Sequence, residues 1–521
     1  MANRRWLYAV AAMSAALHLA GMARNPLPAQ DGLKFLRVAR QFQSAPWVDV
    51  IRGTDQHPLY PALIAVAEPA VSAVIGPGPD AWRIAAQGVS LIAAIGLLWP
   101  LHSLARSLFG DATANLAVFL YALLPKPAEL GHDTLADALA LAFLVTALCL
   151  GERTLMAGSW RSALGCGLAL GLGFLTRPEV LLAAPAIVVA GMARRMDWAG
   201  RKAMAARLAS MAAVAGLLVG GYAFTKGALS EKLSFRIGTR IGVDAYQARK
   251  APLRLPPGLD DARWDFSPKE ETGDDALKSR PIDAFGVLIR DWIEGLSWIL
   301  APFAIWGVIR SRSIPESASG RRLALAYVAI FAAILLRHAT TLGYASGRHA
   351  LALVAVAVPW AAFGIMAWAA GFSARRGMSL ERGGRLGRAA LAGLACVAIA
   401  VQLKAGHPSR WGHQAAGRWL ASAAGPDEAV LDTRGWASFV RGGPSYDYWH
   451  VRQALGDAKL AYVVVGADEM EAPSRRAETL RAVLGYAGRQ VAGFPGREGG
   501  RADDVRVFRF ERPESWEGLR R

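Results

Sequence analysis

Long apolar runs alternate with short polar connections along most of the chain, and many of the runs have the length of a helix that crosses a bilayer. Apolar segments near residues 6–23, 82–101, 112–124, 135–150, 161–175, 179–193, 208–225, 286–309, 323–337, 349–371 and 389–404 predict about eleven transmembrane helices. Some carry single polar residues, which a helix bundle shelters from lipid. A further apolar stretch, Leu59 to Ile75, contains Pro61, Glu68 and Pro69. Proline removes a helical hydrogen bond, so the pattern predicts a broken juxtamembrane helix there instead of a span. Upstream, Phe35, Val38, Ala39 and Phe42 recur at helical spacing with Lys34, Arg37 and Arg40 between them, the pattern of an interfacial amphipathic helix.

After Lys404 the pattern changes. A helix at 411–424, strands at Ala429–Asp432 and Leu460–Val465, a helix at Ser474–Tyr486 and strands at 489–494 and 504–510 predict a small α/β domain. The expected fold class is thus a polytopic α-helical membrane protein with a soluble C-terminal α/β domain. Residues 1–404 form the membrane part, with long loops at 24–81 and 227–285, and residues 405–521 form the second domain. The 227–285 loop holds Pro252, Pro256, Pro257, Pro268 and Pro281, as a lid or a disordered segment does.

Charge gives these segments a direction. The 521 residues are 53% hydrophobic, 19% charged and carry a formal net charge of +18. Arg4, Arg5, Arg106, Arg153, Arg161, the group from Arg194 to Arg207, Arg310 to Arg322 and Arg375 to Arg388 fall in alternate loops, whereas the short loops between them hold only Lys126, Arg177 and Arg348. By the positive-inside rule the N-terminus is cytoplasmic and the long loops and C-terminal domain lie outside, in an inner or plasma membrane. The cations are spread over loops and not gathered on a soluble domain, which argues against nucleic acid as a partner. Arg4 and Arg5 before an apolar run resemble a signal peptide, but the length of the run favours an anchor. Cys149, Cys166 and Cys396 all fall in predicted spans, which offers the outer domain no disulfide framework.

Ionisable groups on the outer side gather where loops meet the membrane, where charge is costly unless used. Five clusters result: Gln30-Asp31-Gly32; Gln56-His57-Pro58-Leu59-Tyr60; Lys126 with His132-Asp133 and Asp137; Thr176-Arg177-Pro178-Glu179; and Tyr344 with Gly347-Arg348-His349. Each has a plainer explanation. Asp31 and Asp133 suit helix N-caps, Pro178 and Glu179 suit a first helical turn, and Arg177 and Arg348 suit snorkelling to headgroups. Together, a carboxylate, cations and histidines on one face of a bilayer suit chemistry on a lipid phosphate.

With these motifs in their order, the chain resembles the polytopic, lipid-linked-sugar glycosyltransferases of the GT-C fold, in the branch of protein O-mannosyltransferases and lipid A aminoarabinose transferases (glycosyltransferase family 39 type). The matching positions are Asp31 after the first span, His57 to Pro61, Thr176 to Glu179, and Gly347-Arg348 at a late span. Two positions depart from the family pattern: Gly32 stands where a second acid is common, and His349 where Tyr is usual. The resemblance implies sugar transfer from a polyprenyl-phosphate donor to a glycan, lipid or protein acceptor outside the cytoplasm. Asp31 is the expected general base, with Asp133 a second catalytic candidate. His57, Lys126, Arg177 and Arg348 are expected on the donor phosphate, and Tyr60, Glu179 and Tyr344 on substrate. A divalent metal held by carboxylate and histidine is the one cofactor implied, with His57, Asp133 and Glu68 as candidate ligands and no site assigned. The competing readings are a polyprenyl-linked glycan polymerase or ligase and a lipid or solute transporter, the latter disfavoured because most spans lack central charges.

Overall fold

The protein is described here from a computed structural model, which covers residues 2–194, 196–230, 255, 258–259, 263–266, 281–312, 314, 318–342, 346–376, 380–403, 409–496 and 504–516. Among these residues six helices are long and apolar enough to span a membrane: the N-terminal helix, α1 (Ala2–Arg24); α5 (Pro79–Phe109); α8 (Asp137–Ala157); α11 (Trp198–Lys226); α14 (Ala318–Leu342); and α15 (Leu351–Arg375). Every predicted apolar run falls on helix, but several helices are short. They are α6 (Asp111–Leu123), α9 (Trp160–Thr176), a 3-10 turn at Pro178–Leu182 leading into α10 (Ala183–Met192), and the apolar half of α16 (Leu380–Gln402). The chain is a multi-pass membrane protein; among the described residues six helices, or seven if the bent pair Pro281–Gly295 and Leu300–Ser311 is one span, are long and apolar enough to cross.

Two segments differ from the sequence reading. The run at 286–309 is not one straight span: α12 (Pro281–Gly295) and α13 (Leu300–Ser311) meet at 99°. The bend is made by Ser297 and Trp298 at φ of 58° and 57°, a left-handed turn of two non-glycine residues that leaves no trace in composition. The Leu59–Ile75 run is not broken at its prolines, because α4 spans it continuously with Pro69 inside. Pro69 deprives the Ala65 carbonyl of its helical donor, and the Gln43 side chain supplies one at 2.9 Å.

Contacts between connections sort the helix ends into two sets. At one end Arg83 donates to Asn25 O, Lys226 to Thr54 O and Gln402 to Ala122 O. At the other, Arg153 donates to Ser103, Arg322 to Ala193 O and Thr113 to the Met366 sulfur. The helices between approach closely through small residues: a Cβ at Gly307 would lie 2.0 Å from Trp360 O, and one at Gly364 2.0 Å from Phe303 O.

The amphipathic helix α2 (Gln30–Ser44) buries Phe35, Leu36, Val38, Ala39 and Phe42. Its apolar face packs on protein, with the Phe35 ring edge-on to Tyr60 at 5.2 Å. Its polar face meets the C-terminal domain, where Arg37 approaches Asp447 at 3.8 Å and Arg40 lies over the Phe439 ring, with Trp82 of α5 also under the same guanidinium.

That domain opens with α17 (Ser409–Ala423) and builds a five-stranded sheet in the order β2-β1-β3-β5-β4. Strands β1 (Ala429–Asp432), β2 (Ser445–Tyr446) and β3 (Leu460–Gly466) are parallel, while β4 (Gly488–Phe494) and β5 (Val505–Phe510) pair antiparallel. Alternation sends Leu431, Val463 and Val465 into one core, and Val430, Val464 and Val507 into the other with Ala416 and Leu420 of α17. The predicted helices and strands of this domain are present. β2 and the helices α18 (Trp436–Arg441), α19 (Val451–Gly456) and α20 (Ala467–Glu471) are additional.

Candidate functional site

Helix α2 begins immediately after Ala29, whose N–H donates to Asp133 Oδ1 and Thr134 Oγ1, each at 2.9 Å. This anchoring fixes the first turn, and Asp31 within it is half-exposed. Its side chain does not cap the helix, since the N-cap is Ala29. Instead Asp31 Oδ2 accepts from Arg348 at 2.6 Å, and Lys34 stands 3.7 Å from the other oxygen. Burial works to raise the Asp31 carboxyl, but the hydrogen bond and charge of Arg348, reinforced by Lys34 and Arg177, hold it below the ordinary carboxylate range. Gly32 has a steric reason: a Cβ there would fall 1.9 Å from Thr134 Oγ1 and 2.7 Å from the Thr134 carbonyl.

Arg177 is placed by the proline after it. Pro178 disfavours helical backbone at the preceding residue, and Arg177 takes φ −150° and ψ 128°, ending α9. Its guanidinium is paired with Asp137 at the start of α8 and lies 3.5 Å from Glu179. Burial opposes the charge of Arg177, yet Asp137 and Glu179 more than offset it.

Arg177, Arg348, Asp137 and Glu179 line one cavity with about 660 Å³ of empty space. His349 and His338 share its wall with ring centroids 5.3 Å apart. The rest of the lining is apolar, with Leu141 and Leu144 of α8, Tyr327, Phe331 and Leu335 of α14, and Ala352 of α15. Charged groups thus cluster beside a greasy channel bounded by spanning helices. Such a cavity suits a ligand with an anionic head and a hydrocarbon tail.

Of the residues singled out by sequence, the structure brings Asp31, Arg177, Glu179 and Arg348 together. Others lie apart. Asp133 is buried, with Oδ2 accepting from Arg410 at 2.8 Å and Oδ1 receiving the Ala29 and Thr134 N–H groups. His57 is buried, stacked on Tyr222 at 5.2 Å and edge-on to Phe174, with Nε2 3.2 Å from Ser230 Oγ. Tyr60 is fully buried, its hydroxyl donating to Ala86 O and lying 2.9 Å from Ser90 Oγ. Lys126 stands in electrostatic reach of Glu129 and Asp291. Tyr344 lies outside the described residues.

The candidate metal ligands His57, Asp133 and Glu68 do not converge, since Glu68 accepts from Gln43 and Ser72 while the other two have the partners given above. Among the described residues no three His, Cys, Asp or Glu side chains are grouped to hold a metal ion.

Sequence reasoning passed over three positions. Asp137 was grouped with Lys126 but given no role, although it opens α8 as a buried acid one helix away from Arg177. His338 lies near the end of a spanning helix, where a lone polar residue is easily read as interfacial. Arg410 follows the predicted membrane part and carries no motif.

Residues 58–219 match the family model described as dolichyl-phosphate-mannose-protein mannosyltransferase. No curated protein matches the chain. Among solved structures, ArnT from Cupriavidus metallidurans in the apo state superposes with a TM-score of 0.58 at 13% identity, covering 98% of each chain. ArnT from the same organism bound to undecaprenyl phosphate gives a TM-score of 0.59 at 12% identity, covering 96% of this chain and 97% of that one. The Archaeoglobus fulgidus oligosaccharyltransferase AglB, in complex with an inhibitory peptide and a dolichol-phosphate, gives 0.56 at 14% identity, covering 98% of this chain and 74% of that one. At these identities the likeness to solved structures establishes the fold. Joined to the family match, which spans residues 58–219 in the first half of the chain, it marks a multi-pass membrane glycosyltransferase with the GT-C fold, similar over that segment to the protein mannosyltransferases.

Proposed function

We infer that the protein transfers a sugar from a polyprenyl-phosphate donor to an acceptor hydroxyl or amine at the extracytoplasmic boundary of the cell membrane, with the N-terminus cytoplasmic. In this reading the short helices α6, α9, α10 and α16 also cross, completing about eleven spans. The carrying observation is the cavity that sets Arg177 and Arg348 at one end of an apolar channel, with Asp31 bonded to one of those cations. ArnT has been solved with undecaprenyl phosphate and AglB with a dolichol-phosphate, which supports a lipid phosphate as the occupant.

The donor's isoprenoid chain runs along Leu144, Phe331 and Leu335, and its phosphate meets Arg348 and Arg177. The phosphate competes with Asp31 for Arg348. As Arg348 turns to the phosphate, Asp31 loses the partner that depresses its basicity and becomes a better proton acceptor. The acceptor oxygen or nitrogen then bonds to the anomeric carbon while its proton passes to Asp31. The bond from that carbon to the phosphate oxygen breaks with its electron pair remaining on the phosphate. The leaving phosphate gains negative charge, which the two guanidinium groups stabilise more strongly than they do the intact donor. Asp133 has a structural part here, tying the first loop to Arg410. The A. fulgidus enzyme has also been solved with Zn and sulfate, but His57, Asp133 and Glu68 do not form a metal site and no step is routed through one.

The test is turnover by the purified full-length protein in nanodiscs, supplied with a polyprenyl-phosphate sugar and a panel of acceptors. Donor consumption that falls by about 100-fold or more in Asp31→Asn, with folding retained, is the expected result. Full activity in that variant removes Asp31 as base, and movement of solute without donor cleavage favours a transporter.

A further inference from the structure

The end of the bundle remote from the cavity has a different chemistry. Helix α8 runs from Asp137 at the cavity to Ala157, and its 21 residues separate the two ends by about 30 Å. Near that far end α10 finishes at Met192, α11 begins at Trp198, and α14 begins at Ala318. Arg194, Arg207 and Arg322 come from these three elements.

Packing brings the elements that carry them together. Arg322 donates to Ala193 O at 3.2 Å, which sets its side chain beside Arg194. Gly191, one turn before Arg194, faces Leu155, Leu208 and Met204, so α10, α8 and α11 meet there. Arg207 lies with its guanidinium about one van der Waals contact from Gly158, at the end of α8. Among the described residues no carboxylate lies in salt-bridge reach of any of the three. The acids at this end are otherwise engaged: Asp111 pairs with Arg106 at 2.7 Å, Asp197 caps α11 through Gly200 N–H, and Glu152 of α8, buried beside Gly320, is engaged by Ser107 and Arg153.

Two guanidinium nitrogens, Arg194 Nη1 and Arg207 Nε, are buried with no hydrogen-bond partner among the described residues. A buried donor without an acceptor is costly, and three unneutralised cations around it add repulsion. Both costs are relieved by one anion with several acceptor oxygens, and the fork of arginine matches phosphate geometry. The headgroup level is marked on the spot. Trp198 is 66% exposed and stands under Arg201 and Lys202, with cation-to-ring distances of 5.8 and 5.2 Å, as tryptophan does in an interfacial belt.

We propose that Arg194, Arg207 and Arg322 form a binding site for the phosphate of an anionic phospholipid in the leaflet opposite the donor cavity. The lipid tails lie against the apolar surface of α11, where Leu217, about 15 Å along the helix from Arg207, is 77% exposed. The bound lipid joins α8, α10, α11 and α14 at the end where the short helix α10 finishes. α8 and the turn before α10 carry Asp137 and Glu179, so this site braces the frame of the cavity from its far side.

The experiment uses the full-length protein in detergent, with dioctanoyl phosphatidylglycerol as probe and dioctanoyl phosphatidylcholine as the zwitterionic control. Native mass spectrometry counts bound lipid, and tryptophan fluorescence follows unfolding on heating. Phosphatidylglycerol is expected to bind and raise the unfolding midpoint while phosphatidylcholine does neither. The triple variant Arg194→Gln, Arg207→Gln, Arg322→Gln is expected to lose binding at least tenfold. The corresponding triple lysine variant, which keeps charge and reports on folding, is expected to bind more weakly than the native chain but more tightly than the triple glutamine variant, because lysine keeps the charge and loses the fork. Arg375→Gln with Arg376→Gln, at the same end but outside the site, is expected to leave binding unchanged. Equal binding of phosphatidylcholine, unchanged binding in the triple glutamine variant, or equal loss in the Arg375 and Arg376 variant overturns the site. Displacement of the lipid by millimolar inorganic phosphate overturns the assignment to a lipid and indicates a site for free phosphate.

Discussion

Asp31 and Arg348, 317 residues apart in sequence, are joined by a hydrogen bond of 2.6 Å between the first turn of α2 and the turn that enters α15. The bond couples the proposed base to the proposed phosphate ligand, and it makes their titrations dependent on one another.

The first prediction follows from that coupling. Arg348 holds Asp31 below the ordinary carboxylate range, so the acid limb of kcat/KM, which reports the free enzyme, is expected below that range. Bound donor draws Arg348 away, and the acid limb of kcat is expected at higher pH than that of kcat/KM. Arg348→Gln removes the partner and is expected to raise the kcat/KM limb while lowering kcat by about 100-fold. Coincident limbs in the native enzyme argue against a shared arginine. The sign for stability is the same: a depressed carboxyl stabilises the fold above its unfolded pKa, and this contribution is lost as pH falls through the folded value.

A second prediction concerns Gly32. A Cβ there meets both the side chain and the carbonyl of Thr134, so Gly32→Ala displaces the first turn of α2. The expected outcome is a loss of activity of about tenfold or more with a small change in melting temperature, because a shift of about an ångström in a reacting group is costly to rate. A melting temperature that falls in step with activity would attribute the effect to folding alone.

Arg177 and Asp137 form a largely buried pair, 19% and 8% exposed. Removing one partner strands the other, at a cost of about 3–5 kcal/mol. Asp137→Ala is expected to lower the thermal midpoint markedly, whereas Asp137→Glu recovers part of the loss. Calorimetry in detergent on the two variants distinguishes a structural ion pair from an exposed one, for which both changes are small.

These residues show how far the sequence was readable. The apolar periodicity carried the long helices, because hydrocarbon thickness leaves few alternatives. It was blind to the turn at Ser297 and Trp298, since left-handed backbone at non-glycine residues is set by tertiary packing. It misread α4 because the donor that compensates Pro69 comes from Gln43, on another helix. For the candidate site, Asp31, Arg177, Glu179 and Arg348 stood in short motifs, and these four side chains lie together in the structure. His338 and Arg410 carry no local pattern, and their roles exist only once distant elements meet. Tyr60 and His57 show the converse, a motif whose side chains are spent on packing.

The fourth prediction tests the seam between the domains. Arg410 is 3% exposed at its side chain, donates to Leu27 O and Asp133, and lies over Trp436, whose indole donates to Pro28 O at 2.8 Å. Arg410→Ala leaves the Asp133 carboxylate buried without its cation and is expected to loosen residues 27–33. Hydrogen exchange is the direct measure: faster exchange at the N–H groups of Ala29 and Leu33 in the variant is expected, and unchanged protection would assign the seam no role in holding α2.

That seam has a consequence for how the enzyme comes into being. The loop bearing Asp31 is made early in translation, but the groups that grip it, Arg410 and Trp436, are made after every helix of the bundle. A nascent chain can therefore set the first turn of α2 on Asp133, Thr134 and Arg348 before the groups that seal it from the other side exist. The C-terminal domain is then the last part to lock this loop, and a chain ending before Arg410 would hold residues 27–33 from the bundle side alone.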